Sequence, residues 1–318
     1  MSSQLIYPFS FGDRGQSDLL GGKGANLAEM VRIGLPVPPG FTITTEACQQ
    51  FLATGEVPKG LASEIDASLK VLEKSLDKEF GNPNKPLLVS VRSGAKFSMP
   101  GMMETVLNVG MTPEVTEQMA IRTGDPRFAW DSYRRFVDMY ARIVCDVPQA
   151  EFHKIENRVL ASFGAATIQE LEAEGLKSLA DGYKKVSEAL TGEIFPVDPR
   201  EHLMKSVEAV FHSWNSERAQ LYRRRERIPS DLGTAVNIQS MVFGNLSDDS
   251  VTCVAFTRNP ATGEQGSYGD YLQRAQGEDV VAGIRNTMSL AEFNELSPKV
   301  YGELDRVMTL LEDHYRDL

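Results

Sequence analysis

The stretch Val89-Ser-Val-Arg-Ser-Gly-Ala-Lys-Phe-Ser-Met-Pro-Gly-Met-Met-Glu-Thr-Val-Leu-Asn108 sets two cations beside a turn-forming loop. A short apolar strand, Leu87 to Val91, would deliver Arg92 at its end and Lys96 just beyond it. Both would then face the loop Ser98-Met-Pro-Gly-Met-Met103. A guanidinium, an ammonium and a run of backbone N–H groups are what a polyphosphate needs. A surface turn carrying two solvated cations is the plainer reading of the same spacing.

A third cation, Lys23, sits in Gly21-Gly-Lys23-Gly24. This is not a Walker A loop, which requires G-x-x-x-x-G-K-[ST]. Arg258, in Thr257-Arg-Asn-Pro260, could meet a phosphate or hold the loop after it. Glu278, in Gln276-Gly-Glu278-Asp279, is either a ligand contact or part of an acidic surface turn.

The elements that must position these residues follow from periodicity. Asp18 to Ile33 reads as a Gly-rich turn feeding a helix with Leu27, Met30 and Val31 on one face. Leu35 to Thr44 breaks that helix and leads into a strand, and Thr45 caps a helix from Glu46 to Ala53. Trp130, Tyr133, Val137, Tyr140 and Val144 recur at helical spacing. Glu151 to Phe163, Thr167 to Ala173 and Ser178 to Leu190 continue as helices. Phe195-Pro-Val-Asp-Pro199 marks a boundary. A helix with Met204, Val207, Phe211 and Trp214 on one face follows. Two strands, Ala235 to Phe243 and Ser250 to Thr257, are expected to form a hairpin through Gly244-Asn-Leu-Ser-Asp-Asp249. A last helix carries Val300, Leu304, Met308, Leu311 and Tyr315.

With 318 residues the chain is long enough for roughly two domains. A net charge of −11 argues against a nucleic-acid partner, because phosphate backbones select basic faces. An acidic protein that binds an anion must therefore concentrate its cations locally. The 3 cysteines, Cys48, Cys145 and Cys253, are far apart and form no CxxC. They read as reduced, buried thiols of a cytoplasmic protein. The first residues lack the charged and apolar regions of a signal peptide, and no apolar run approaches the ~18 residues of a membrane span.

The stretch from Val89 to Asn108 resembles the phosphate-gripping loop of the pyruvate phosphate dikinase and phosphoenolpyruvate synthase family. Three more segments match that family in the same order: Gly21-Gly-Lys-Gly-Ala-Asn-Leu-Ala-Glu-Met30, Thr257-Arg-Asn-Pro-Ala-Thr-Gly-Glu264 and Ala275-Gln-Gly-Glu-Asp-Val-Val-Ala-Gly283. The likeness covers essentially the whole chain but only the nucleotide-binding part of the family's architecture. It implies an α+β, ATP-grasp-like two-lobed nucleotide-binding fold with an inserted helical subdomain. The lobes would be residues 1–110 and 198–318, with the helical insert at 111–197.

The resemblance also implies roles. Lys23 and Arg92 would contact the ATP phosphates as the catalytic cations, with Lys96 beside them. Gly101, Met102, Met103, Glu104 and Thr105 would close over the phosphates. Gln239, Met241 and Val242 would line the adenine slot on a strand that reads adenine through backbone groups. Arg258 would meet phosphate and Glu278 the ribose. ATP and Mg2+ are the implied cofactors; no metal ligand can be assigned.

The chain departs from the family at Glu104, where a smaller residue, often Asp, is usual. It departs again at Ser250-Val-Thr-Cys-Val254, where relatives tend to read Ser-Gly/Ala-Thr-Gly-Val. The family passes phosphate to a histidine in a Gly-Gly-Met-Thr-Ser-His signature on a swivelling domain. None of the 4 histidines here, His153, His202, His212 and His314, has that context. The family's metal-binding acids follow its final helix, beyond Leu318. The implied partner is thus a histidine-bearing phosphotransfer domain or chain. The acceptor is pyruvate by default, or a phenol or cresol in a split, phenylphosphate-synthase-like system. A non-catalytic nucleotide-binding or interaction module is the second reading.

Overall fold

The computed structural model describes residues 4–281 and 286–316. The chain divides into two compact units at Met241/Val242. Residues 1–110, 111–197 and 198–241 therefore share the first unit.

The first unit opens with β1 (Ile6–Pro8), α1 (Ser17–Arg32), β2 (Gly40–Ile43), α2 (Thr45–Thr54) and α3 (Leu61–Leu76). Short strands β3 (Glu79–Phe80) and β4 (Pro86–Leu87) precede β5 (Val89–Gly94) and β6 (Thr105–Val109). Helices follow: α4 (Pro113–Thr123), α5 (Pro126–Ile143), α6 (Gln149–Phe163), α7 (Ala173–Thr191), α8 (Pro199–Ser213) and α9 (Glu217–Glu226), and β7 (Ala235–Ser240) closes the unit.

The central sheet has the order β1-β2-β7-β5-β6, and every pairing in it is antiparallel. β7 is buried along its whole length, as its position between β2 and β5 requires. α1 packs on this sheet through small residues. Its buried face is Leu20, Gly21, Gly24, Ala25, Ala28 and Glu29, whereas the expected Leu27, Met30 and Val31 are only half-buried. Small side chains let the helix approach the strands closely, so here apolar size does not mark the buried face.

The helical stripe holds. Trp130, Tyr133, Val137 and Tyr140 on α5 are buried. Tyr140, Phe136 and Phe195 surround the His202 ring with centroids at 5.1, 4.9 and 5.9 Å. His202 Nε2 lies 2.7 Å from the Pro196 carbonyl oxygen, so this nitrogen carries the proton. Burial pushes the imidazole pKa down. It is a packing group, as its helical setting suggests. Thr44, not Thr45, caps α2, accepting from the Ala47 N–H at 3.3 Å. The expected helix at Thr167 to Ala173 is a 3-10 turn over Ile168–Glu170.

The second unit holds β8 (Val251–Arg258), β9 (Gln265–Gln273), α10 (Gly277–Val281), β10 (Met288–Ser289), α11 (Leu290–Leu296) and α12 (Pro298–Tyr315). Its sheet has the order β10-β9-β8. The expected hairpin between Ala235–Phe243 and Ser250–Thr257 does not form. β7 pairs with β2 and β5, and β8 pairs with β9 through the turn after Arg258. Alternation identifies a strand but not its neighbour, and here the partners of β7 lie about 150 and 195 residues upstream. On α12, Met308 and Leu311 are buried, whereas Val300 is 48% exposed.

No helix among the described residues is long and apolar enough to cross a membrane. All three cysteines are free; Cys48 is buried, and Cys145 and Cys253 are half-buried.

Candidate functional site

Two segments far apart in sequence meet at one end of the central sheet. α1 contains a kink at Gly21, whose φ of +67° is left-handed and whose missing side chain lets it touch β5. A Cβ on Gly21 would overlap the Gly94 carbonyl oxygen. The next N–H, that of Gly22, donates to Ala95 O at 2.9 Å. The segment from Gly22 therefore starts afresh against the exit of β5, with Lys23 in its first turn.

β5 runs to Gly94, so Arg92 lies inside the strand and not at its end. It is paired to Thr105 of β6 on one side and Asn237 of β7 on the other. Asn237 is in turn opposite Thr42 of β2. Directly opposed residues of an antiparallel sheet share a face. Thr42, Asn237, Arg92 and Thr105 thus form one polar row across four strands. Asn237 is fully buried and accepts from Thr42 Oγ1 at 2.9 Å. Sequence reading missed Thr42 and Asn237. The available signal was the polar pair Asn237 and Gln239, two apart on one face of a strand otherwise carrying Ala235, Val236 and Ile238.

A cavity of about 520 Å3 opens where these segments meet. That lies within the roughly 300–1,000 Å3 of small-molecule sites. Of the expected residues, Lys23, Lys96, Gly101, Met103 and Thr105 line it, as does Ser98 of the expected loop; Asn26 was not foreseen. Arg92 is not in the lining but is close enough for its charge to act on Lys23.

Lys23 donates to the Ser93 carbonyl at 2.9 Å. Much of its side chain is exposed, yet its ammonium is crowded against protein. Desolvation first, and the Arg92 charge second, lower its pKa from 10.5 to about 8. Lys96 pairs with Asp18 at 2.5 Å, a partly exposed contact. Glu104 pairs with Arg218 of α9. No carboxylate lines the cavity. In a chain of net charge −11, the charged side chains that line this cavity are Lys23 and Lys96.

The loop from Ser98 to Met103 is anchored by its methionines. Met99 is buried against Trp214 and Ala219, and Met102 and Met103 pack on the same cluster. Trp214 is itself held by an indole N–H donating to Ser230 O at 2.9 Å and by the Arg223 guanidinium 4.0 Å from its ring. The Met102 N–H returns to Met99 O at 3.1 Å, closing the turn that leaves Gly101 at φ +70°.

The expected adenine residues divide. β7 ends at Ser240, and Gln239 is committed. Its backbone lies in the ladder opposite Gly40 and Ser90, and its side chain donates to Pro38 O at 3.0 Å. The Met241 N–H donates to Leu88 O at 2.8 Å. Val242 is 67% exposed and begins the second unit. Within that unit, Arg258 pairs with Glu312 of α12. Glu278 is half-buried in the first turn of α10. Ala282 and Gly283, the end of the segment singled out with Glu278, lie outside the described residues.

Among the described residues no three His, Cys, Asp or Glu side chains converge. What this site can offer a phosphate is fixed positive charge and hydrogen-bond donors.

These antiparallel sheets and flanking helices, with a cavity lined by two lysines, define an α+β fold of the ATP-grasp-like nucleotide-binding class. Over residues 17–74 and 53–306 the chain matches the family described as "Pyruvate phosphate dikinase, AMP/ATP-binding domain", and it belongs to that family. It is 48% identical over 318 residues to pyruvate, phosphate dikinase of Clostridium symbiosum, covering 99% of this chain and 36% of the relative. It is 51% identical over 309 residues to pyruvate, phosphate dikinase 2 of Oryza sativa subsp. japonica, covering 97% and 35%. It is 49% identical over 310 residues to the chloroplastic pyruvate, phosphate dikinase 1 of Arabidopsis thaliana, covering 97% and 32%. The chain thus spans about a third of the length of these relatives.

Proposed function

We propose that this chain binds ATP and presents its β-phosphate to a histidine on another domain or chain, with AMP as the leaving group. The histidine then delivers phosphate to an acceptor, which this reading takes to be pyruvate because the relatives above are pyruvate, phosphate dikinases. The observation that carries the proposal is the cavity where Lys23, Lys96 and the loop to Thr105 meet beside Arg92, with no carboxylate in its lining.

Each residue has a physical task in this reading. Arg92 offers a permanently charged fork matched to phosphate oxygens. Lys23 supplies a mobile point charge. The backbone N–H groups of Gly101 and Met103 and the Thr105 hydroxyl would donate to the phosphates. Pairing of Arg92 with Asn237 and Thr105 inside the sheet fixes its backbone before the nucleotide arrives, so little reorganisation is left to the reaction step. Val242, Arg258 and Glu278 would serve the base, phosphates and ribose. Gln239 is the weaker adenine candidate, because both its backbone and its side chain are already bonded. Free thiols suit a cytoplasmic location.

The test uses ATP labelled on its β-phosphate, magnesium, this chain and a histidine-bearing dikinase partner. The expected result is an acid-labile, base-stable label on the partner that requires this chain. Arg92→Ala should cut that labelling by at least about 100-fold, consistent with losing one charge-stabilising donor. Bound ATP with no label on any partner would leave a nucleotide-binding module in place of a transferase. Supplying a phenol or cresol instead of pyruvate in the same assay tests the alternative acceptor.

A further inference from the structure

Lys23 differs from Lys96, the other cation lining the cavity, in having no acidic partner among the described residues. Lys96 is engaged by Asp18 of α1, and Glu104 at the far end of the loop is turned to Arg218. What faces the Lys23 ammonium is the Ser93 carbonyl of β5 and the Arg92 guanidinium. The amine is exposed to the cavity and yet desolvated on its protein side, and a positive neighbour favours its neutral form. With a pKa of about 8, a substantial fraction of this amine is neutral at pH 8, and that fraction is a nucleophile inside a cation-lined cavity.

We propose that Lys23 is a covalent modification site whose reagent class is small acyl phosphates. The phosphate end would be held by Lys96 and the N–H groups of the loop, and the acyl carbonyl would lie against Lys23 Nζ. The amine nitrogen attacks the carbonyl carbon, an N–C bond forms, and the C–O bond to phosphate breaks. Inorganic phosphate leaves with the electron pair, and the proton lost from nitrogen passes to it. The product is a neutral amide at Lys23. It removes one of the cavity's cations and lowers the chain's affinity for polyphosphates, so acylation would act as an off-switch on nucleotide binding. The inference rests on the reading of this cavity as a phosphate site.

The experiment incubates the full chain with acetyl phosphate at pH 8 and follows each lysine by peptide mass spectrometry. Lys23 should be acetylated at least about tenfold faster than any other lysine, as expected of a depressed-pKa amine near an anion site. N-hydroxysuccinimidyl acetate, which has no phosphate, should show a smaller preference for Lys23. Even labelling of the lysines by acetyl phosphate overturns the proposal, and so does an equal preference with the two donors. Calorimetric ATP binding on the same preparation separates this inference from the one beneath it. ATP bound, with even labelling, removes the acylation alone. Lys23 labelled first with no ATP binding removes the nucleotide reading, and with it the off-switch, and leaves the acylation site.

Discussion

Lys23 carries the most informative charge in the first unit, and its perturbation has a thermodynamic sign. Its pKa is lowered from 10.5 to about 8 on folding. Between those values the unfolded chain holds a proton that the folded chain has released. Stability therefore rises with pH across about 8 to 10.5 from this group, and below pH 8 the charged lysine is a constant liability. Denaturant titrations at several pH values should show that slope, and Lys23→Met should flatten it. An identical slope in both proteins would mean that the ammonium is not desolvated. The same group gives ATP binding the opposite trend. Affinity should strengthen as pH falls from 9 to 7, because bound phosphate favours the charged form. Isothermal titration at the two pH values reads it directly.

At the scale of elements, the site depends on two close joins. The first is the Gly21 kink, where α1 touches β5. Gly21→Ala must place a Cβ at positive φ into the Gly94 carbonyl, which should cost about 1–3 kcal/mol and displace the Lys23 turn. A melting temperature within a degree of wild type would show that the helix can move away freely. The second join is the methionine anchor of the loop Ser98 to Met103, with the Glu104–Arg218 pair beside it. An exposed pair of this kind contributes about 0–1 kcal/mol to global stability. Arg218→Ala should therefore barely change the melting temperature, yet hasten proteolysis within Ser98 to Met103. If the loop is cut no faster, the methionine cluster holds it alone.

These joins also show why part of the site was legible and part was not. Gly, Met and Pro at fixed positions, with cations around them, reveal a loop from local chemistry. That Asn237 lies opposite Arg92, or that Trp214 anchors Met99, depends on contacts across more than 100 residues. Nothing in the local sequence specifies them.

For the whole molecule, the relevant division falls at Met241/Val242. Everything that lines the cavity lies before it. The segment 1–241, produced alone, is expected to unfold cooperatively and to keep the depressed pKa of Lys23, measured by the pH dependence of amine labelling. Loss of cooperative unfolding would show that the first unit depends on the second.

By itself the sequence determined the local matters. It showed the helical stripe of α5, the strand character of β7 and β8, the turn chemistry of the phosphate loop, and four ordered segments sufficient to indicate the family. Periodicity and turn preference are properties of neighbouring residues, so they can be read without knowing the partners. Only the tertiary structure decided which strands pair. It separated β7 from β8, extended β5 past Arg92, chose the small-residue face of α1 for burial, and brought Lys23 beside Arg92. Each of those outcomes follows from packing against distant segments, where close approach and desolvation override local preference.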